Sequence, residues 1–447
     1  VFPPGGFADG GGAKPVNVFC HQYSAAAESC CPVYRRGGAG CPLCCYITPH
    51  RFMDTFGALL TSNDRQIYLE RSGMVTRCRL ACEALDKGRS VALVARTREE
   101  FHAARSLAAL FSPEISLADP AVVRPAWQWP CLGLPALSQW QDKPSWAARL
   151  AALYSLTLGK PRVLVVSVES LLLRYMPVNF FHTRTLELGK GSDYAPELLL
   201  EQAVEWGYER VAMVTRPGEM ARRGDILDLY PSGYARPVRL EFFGDTLEEM
   251  RFFDAETQRS LQGCDELTLL PVSPLAFDAR ETEATRKRFD RMFAEGRIGE
   301  NDCYSFKKSL DAGGAGLLPG CAVEAPSLLE DWLPQDCLWL LPGEADSAEA
   351  LRDGRLALKE RLEAEDAPLP QPAALALRKM SKPAPSNVFQ PGYAEPLVMG
   401  VEERGLDFAE RTLHSFSDLF PLSGAQDRPW QHLAAALKEW QGARRQV

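Results

Sequence analysis

Apolar and polar residues alternate most regularly between 222 and 260, RRGDILDLYPSGYARPVRLEFFGDTLEEMRFFDAETQRS. Val238, Leu240 and Phe242 share one parity and Arg239, Glu241 and Phe243 the other. That is the period of two of a strand with one buried face. Gly244-Asp245 interrupts the alternation. A glycine leading a two-residue loop fits a type II′ hairpin, which would set Leu247 opposite Phe242. Upstream, residues 225–230 read as a third strand, ended by Pro231-Ser232-Gly233. The face carrying Arg239, Glu241 and Phe243 is polar apart from one ring. An arginine and a large aromatic on such a face have the composition of an interaction hot spot. The same pattern accommodates a second layer over this face, with Phe243 as core.

Elsewhere the periods alternate. Helical spacing runs through 75–85 and 96–111, the second placing Phe101, Ala104, Leu107 and Leu110 on one side. Continuous apolar runs at 90–95 and 162–168 read as strands buried on both faces, with further strands near 122–124 and at 336–341. Helices are expected at 145–156 and from 170. Strand and helix in alternation imply a parallel sheet with right-handed crossovers. Within 180–275 the pattern predicts a strand at 184–188 and a helix opened near Pro196 and stopped by Gly207. A strand at 211–214, the hairpins and a returning strand at 267–270 follow. Charged helices are expected at 279–294, as a solvated face, and at 348–362. Prolines crowd 368–372 and 383–396. A strand near 413–416 and a helix from 429 to 440 close the chain.

The chain has 447 residues, 46% hydrophobic and 24% charged, with a formal net charge of −8. That length suits about three domains. The acidic balance argues against a chain devoted to gripping duplex DNA, which needs clustered Lys and Arg. No apolar run is long enough to span a bilayer. Six of the 13 cysteines fall in the first 45 residues and the rest are scattered, as suits a reducing cytoplasm. The start lacks the features of a signal peptide. Cys41-Pro42-Leu43-Cys44, near Cys30, Cys31, His21 and His50, supplies half of a zinc site at most. A dispensable Gly- and Cys-rich extension is the expected reading.

No catalytic constellation emerges: no catalytic, cofactor-binding or metal-binding residue is assigned and no cofactor is expected. His102, His182, His414 and His432 are isolated in sequence. Ser167-Val168-Glu169-Ser170 lacks the flanking glycines of a nucleophile elbow. Asp225 and Asp228, three apart on one strand, point to opposite faces and read as turn-adjacent or interdomain salt-bridge residues. A phosphate-binding loop needs G-x-x-x-x-G-K-[ST]. Gly159-Lys160 and Gly189-Lys190 are not followed by Ser or Thr, and Glu344 alone after strand 336–341 does not make the Asp-Glu pair of an ATPase sheet.

Residues 222–260 closely resemble a pattern shared by two bacterial repair families, the transcription-repair coupling factors and the excision-nuclease subunit UvrB. PAWQWP at 125–130 and RVLVVSVESLL at 162–172 extend the resemblance. In both families the pattern marks a domain that docks onto the damage-recognition subunit UvrA. Carried over by position, the resemblance implies UvrA contacts at Arg223, Arg239 and Phe243. It further implies a degenerate helicase-type (RecA-like) α/β domain with an inserted α+β UvrA-binding domain. Where the family's phosphate loop falls, this chain has Glu70-Arg71-Ser72-Gly73-Met74-Val75-Thr76-Arg77, with no Gly-Lys pair. That favours the coupling factors over UvrB, which keeps the loop.

The domain expectation is therefore an extension at 1–54, the α/β domain in two halves at 55–179 and 276–410, the inserted domain at 180–275, and the start of a further small domain at 411–447. The resemblance implies a cytoplasmic recruiter of UvrA. RNA polymerase and DNA would be met through a C-terminal part beyond this chain, where the whole protein would be an ATP-dependent DNA translocase. The alternatives are an ATP-using UvrB-like excision subunit and a structural zinc-binding adaptor.

Overall fold

A computed structural model describes residues 69–70, 74–111, 122–137, 139–341, 344–364, 366–379 and 406–407. The expectations for residues 1–54, 71–73, 383–396 and 411–447, and for the Glu344 side chain, lie outside the described residues. The chain divides into two compact units, one of residues 84–397 and one of residues 1–83 with 398–447. In the latter, β1 (Leu69–Glu70) pairs in parallel with a strand at Leu406–Asp407. Helix α1 (Met74–Asp86) crosses the sequence boundary between the units.

The larger unit begins with β2 (Val91–Ala95), α2 (Arg98–Phe111), β3 (Cys131–Leu134), α3 (Lys143–Thr157), β4 (Val163–Ser167) and α4 (Val168–Leu172). Next come β5 (Leu186–Gly189), α5 (Pro196–Glu205), β6 (Glu209–Arg210), β7 (Glu219–Arg223), β8 (Ile226–Leu229), β9 (Val238–Phe243), β10 (Thr246–Phe253), β11 (Ser260–Gly263) and β12 (Glu266–Leu269). It ends with α6 (Ala279–Ala294), α7 (Glu300–Asp311), α8 (Pro319–Ala322), β13 (Leu338–Leu340), α9 (Glu344–Glu363) and α10 (Ala373–Ala376).

The first layer is a parallel sheet in the order β13-β2-β4-β3. VALVA and VLVVS form its centre and are buried at every position, as apolar runs covered on both faces should be. β13 joins beside β2, with Leu338 opposite Val91, although about 170 residues separate it from β4. The strand expected near 122–124 is absent; the edge strand is β3. Pro125 removes an amide from that segment, and Trp127 lies in a short 3-10 turn instead. Gly133 in β3 permits close packing, since a Cβ there would come within 2.8 Å of Phe101 and Arg105. Helix α2 buries Phe101, Ala104 and Ala108, whereas Leu110 is exposed, so its inner stripe is rotated from the expected one.

The chain leaves this layer through β5 and returns through β12, which pair antiparallel from Leu186–Leu269 to Gly189–Glu266. Arg184, expected in a strand, instead donates to the carbonyl of Ala276 at 2.7 Å and pairs with Glu281, tying the outgoing segment to the returning one. Between them lies a six-stranded sheet, β11-β10-β9-β8-β7-β6, antiparallel except for β6·β7. Its inner face, Met220, Leu227, Leu229, Val238, Leu240, Phe242, Leu247, Met250 and Phe252, belongs to one core continuous with the parallel layer.

The connection from β8 to β9 holds the two layers together. Ser232 Oγ donates to the Ala147 carbonyl at 2.6 Å, and the Ala126 amide to the Gly233 carbonyl at 2.7 Å. Trp127 meets Tyr234 and Tyr154 edge-on at 5.4 and 5.1 Å. Gly233 has φ +82, and a Cβ there would lie 2.6 Å from Trp127, so glycine is required twice over. This anchor is at the opposite end of the strands from the Gly224-Asp225 and Gly244-Asp245 turns.

In the second half, α6 starts on a capping box between Asp278 and Glu281. It is not a purely solvated helix: Thr285, Arg288, Phe289 and Met292 are buried, and Phe289 meets Phe306 of α7 at 5.4 Å. The pattern reading missed α7, whose buried positions, Cys303, Phe306 and Leu310, are few among polar residues. Among the described residues, no helix is long and apolar enough to cross a membrane.

Candidate functional site

The hairpin between β9 and β10 follows from two residues. Gly244 has φ +59, while Asp245 is not in the left-handed region. Those signs belong to a type II′ turn, and Leu247 pairs with Phe242 as the alternation requires. A second turn of the same composition, Gly224-Asp225 with φ +65 at the glycine, joins β7 to β8. Arg223 is therefore the last residue of β7, not the residue leading into β8. Because β7, β8, β9 and β10 run alternately, both Gly-Asp turns lie at the same end of the sheet. Each follows one of the sequence-predicted site residues, Arg223 or Phe243.

Ladder register fixes which side chains share a face, since directly paired residues point the same way. Arg223 pairs with Ile226, Ile226 with Glu241, and Glu241 with Glu249. The next row is Ala221, Asp228, Arg239 and Arg251. Phe243 pairs with Thr246 at the turn. Arg223, Arg239 and Phe243 thus lie on one face, the one turned away from the core. They do not form a single three-way contact. Arg239 and Phe243 are four residues apart, about 13 Å at strand rise, with Glu241 between them. Arg223 stands two strands from Glu241.

This face has an open end and a covered end. Phe243 is 76% exposed, which excludes the alternative of a second layer over it. Arg223 is also exposed and donates from Nη2 to the Ala212 carbonyl at 2.9 Å. Farther along, Phe253 is fully buried on the same face, packed with Val214, Ala221, Val211 and Tyr230. A β-bulge between Leu247 and Glu249 produces this placement. It inserts one residue, so that Leu247 and Met250, three apart, both reach the core.

Arg239 joins the two ends. Its Nε and Nη2 donate to Asp228 Oδ1 and Oδ2 at 2.7 and 2.9 Å, and its guanidinium lies 4.9 Å over the Phe253 ring. The Arg239 and Asp228 side chains are only 19% and 3% exposed. The hydrogen bonds from Asp228 push the Arg239 guanidinium further toward its protonated form. The fork expected to be free for a partner's carboxylate is therefore already occupied. Asp228 is the salt-bridge residue anticipated, though within one sheet and not between domains; Asp225 lies in the turn.

The covered end is held by Glu219. Its carboxylate accepts from the Thr215 amide at 2.7 Å, the Arg216 amide at 2.9 Å and the Thr215 hydroxyl at 3.0 Å. The strand expected at 211–214 is absent: the pairing ends with β6 at Glu209–Arg210, and these bonds hold the chain in a turn at 215–216. Burial pushes the Glu219 carboxyl up, but the two amides and two side-chain donors outweigh it and hold it below its ordinary value. A carboxylate with a depressed folded pKa stabilises above its unfolded pKa and loses that contribution as pH falls through the folded one. Glu219→Gln is expected to lower stability at neutral pH by about 1–2 kcal/mol. The gap from the parent should close as pH falls through the depressed folded value, where the parent carboxyl is itself protonated. Parallel urea titrations at neutral and acidic pH check this, and a gap independent of pH contradicts it.

Asp228 was singled out in the sequence as a salt-bridge residue but not as the partner of Arg239, and Glu219 and Phe253 were not singled out. The legible signal was the second phenylalanine of Phe252-Phe253, where alternation fails. Ile226 and Glu241 are the remaining members of the open end. Among the described residues, no three His, Cys, Asp or Glu side chains could hold a metal ion. His102 is stacked edge-on against Phe101. The arrangement offers recognition, with alternating charges around one exposed ring, and no nucleophile paired with a base.

A family model described as the UvrB interaction domain matches residues 186–274. That stretch starts at β5 and ends after β12. The chain is 32% identical over 268 residues to the transcription-repair-coupling factor of Escherichia coli (strain K12), covering 59% of this chain and 23% of that protein. It is 30% identical over 253 residues to that of Haemophilus influenzae, covering 56% and 21%. With that of Bacillus subtilis (strain 168) it shares 31% identity over 144 residues, covering 32% and 12%. The chain thus spans less than a quarter of the length of these relatives.

Proposed function

From the premise that the chain is the N-terminal, UvrB-like region of a transcription-repair-coupling factor, we propose that it recruits UvrA through the outer face of its inserted sheet. The observation that carries this reading is Phe243, a large ring 76% exposed at the free end of a rigid sheet. Arg223 at the neighbouring turn and Arg239 behind it complete the docking face. The exposed Arg223 guanidinium suits partner carboxylates, Arg239, its fork held by Asp228, supports the face, and a ring among charged groups supplies the apolar centre of a hot spot. The inserted domain would occupy 180–275, between α/β halves at 55–179 and 276–410, with 1–54 an extension and 411–447 the start of another domain. RNA polymerase and DNA would be engaged by the rest of a longer, ATP-driven translocase in the cytoplasm.

The test is capture of purified UvrA by the 447-residue chain. Stoichiometric capture is the expected outcome, and failure to retain UvrA at micromolar concentrations overturns the reading. The region itself is proposed to have no ATPase activity, because residues 70–77 lack the Gly-Lys-Ser/Thr that wraps and neutralises phosphates. Calorimetry with ATP should give no heat of tight binding. Micromolar affinity abolished by substitutions near Gly73 refutes that part alone.

A further inference from the structure

A cleft of about 240 Å³ lies beside the anchor of the inserted sheet, away from Phe243. One wall comes from the segment 122–128, which carries Arg124 and leads through the 3-10 turn of Trp127. The opposite wall is the outer face of the β5–β12 ribbon. Glu187 and Thr268 are direct ladder partners there, and Glu266, two residues along β12, points the same way. Leu188, Leu267 and Leu269, of the other parity, lie in the core, so the face toward the cleft is polar. The floor is aromatic: Tyr234 meets Trp127 edge-on at 5.4 Å and Phe252 at 5.7 Å.

A short chain of hydrogen bonds sets one carboxylate in place. The Thr268 amide donates to the Tyr234 hydroxyl at 3.1 Å, and the Thr268 hydroxyl donates to Glu187 Oε2 at 2.8 Å. Neither Glu187 nor Glu266 has an ion-pair partner among the described residues. Arg124, at the rim, is drawn toward the Trp129 ring, 5.8 Å from its centroid. Cys264 also lines the cleft, and burial pushes its thiol up to about 11, so it is neutral at physiological pH. The two carboxylates of Glu187 and Glu266 against the one guanidinium of Arg124 leave the lining with a net negative charge.

Volume and charge together select the occupant. Pockets for drug-sized ligands run to roughly 300–1,000 Å³, so this cleft suits a single side chain. Negative charge above an aromatic floor favours a cation with a flat body. A guanidinium pairs with a carboxylate through two parallel N–H donors, and an acceptor already held in position lowers the ordering cost of binding. We propose that the cleft receives one arginine side chain of a partner protein, held by Glu187 and Glu266 over the floor of Trp127, Tyr234 and Phe252. The cleft is separate from the outer face of the inserted sheet and does not depend on the function proposed for that face.

Titration of the full chain with acetyl-arginine-methylamide, followed by saturation-transfer NMR, tests the site, since the blocked ends leave the side chain alone to report. A saturable signal at millimolar concentration is expected, with weaker binding of the lysine counterpart, which lacks the planar fork. Glu187→Gln and Glu266→Gln should each lower affinity about two- to fivefold, the range of exposed ion pairs. Both side chains are exposed, so these variants should fold as the parent does. Arg124→Gln should bind about twofold tighter or more, because a like charge leaves the rim; a site for an anion would change in the opposite direction. Glu201→Gln, exposed on α5 and outside the lining, should bind as the parent does. No saturable signal with the parent, equal affinity for the lysine counterpart, undiminished binding in the two glutamate variants, or weaker binding in Arg124→Gln overturns the proposal.

Discussion

Arg239→Ala should destabilise the chain by about 3–5 kcal/mol, the range for removing one partner of a buried ion pair. The loss comes mainly from what is left behind. Asp228 is 3% exposed and receives both of its bonds from Arg239. Truncation strands a carboxylate inside the sheet and uncovers Phe253, over which the guanidinium lies. The pair itself contributes far less than this, because both charges were desolvated to make it. Arg239→Met with Asp228→Asn should therefore recover most of the lost stability, as replacing both members of a buried pair does. Urea denaturation of the single and double variants measures both effects. A single variant within about 1 kcal/mol of the parent would show that water reaches Asp228 and that Arg239 is free to engage a partner. For the docking reading, reduced UvrA capture by Arg239→Ala is uninformative until the folded fraction is known.

Strands and helices whose own residues announce their burial were legible in the sequence. VALVA and VLVVS are covered on both faces, so burial leaves no polar position to confuse the pattern. The β9–β10 hairpin was legible because Gly244 is chemically required by its turn. Three features failed for physical reasons. β3 is a short edge strand containing Gly133, a residue chosen for close approach and not for strand propensity. The segment 211–216 has strand composition, but the Glu219 carboxylate captures its backbone amides, a contact that sequence periodicity does not record. The bulge in β10 reverses the parity of Phe253, sending it to the face shared with Arg239.

The candidate site was legible in position and misjudged in state. Parity and resemblance placed Arg223, Arg239 and Phe243 together, and the ladder puts them on one face. What parity could not supply was the cross-strand partner of Arg239. A register of Asp228 against Arg239 depends on how the eight-residue connection from 230 to 237 closes, and that connection is set by Ser232 and Gly233 docking on Ala147 and Trp127. The anchor of the inserted sheet on the parallel layer therefore also positions the outer face that carries them. Within that face the three residues have different tasks. Arg239 braces the sheet, Arg223 closes the β7 edge through Ala212, and Phe243 is left with no structural duty.

That division makes Phe243→Ala the decisive substitution. The ring is 76% exposed and is absent from the apolar clusters on either face of its sheet. Its removal should change stability by no more than about 0.5 kcal/mol, as surface substitutions do. If this face docks UvrA, the ring becomes the desolvated centre of the interface, and its loss should weaken binding by about 2–4 kcal/mol, roughly 30- to 1,000-fold. Arg223→Ala should fall between the two extremes, since Arg223 is exposed but also holds the Ala212 carbonyl. Phe243→Tyr should retain most of the affinity, because a hydroxyl at the ring edge keeps the apolar area. Affinity for purified UvrA and melting temperature must be measured on the same preparations. Intact stability with collapsed affinity in Phe243→Ala identifies a recognition residue. Intact stability with intact affinity leaves the most exposed aromatic ring among the described residues without a partner, and UvrA would then have to bind elsewhere on the chain.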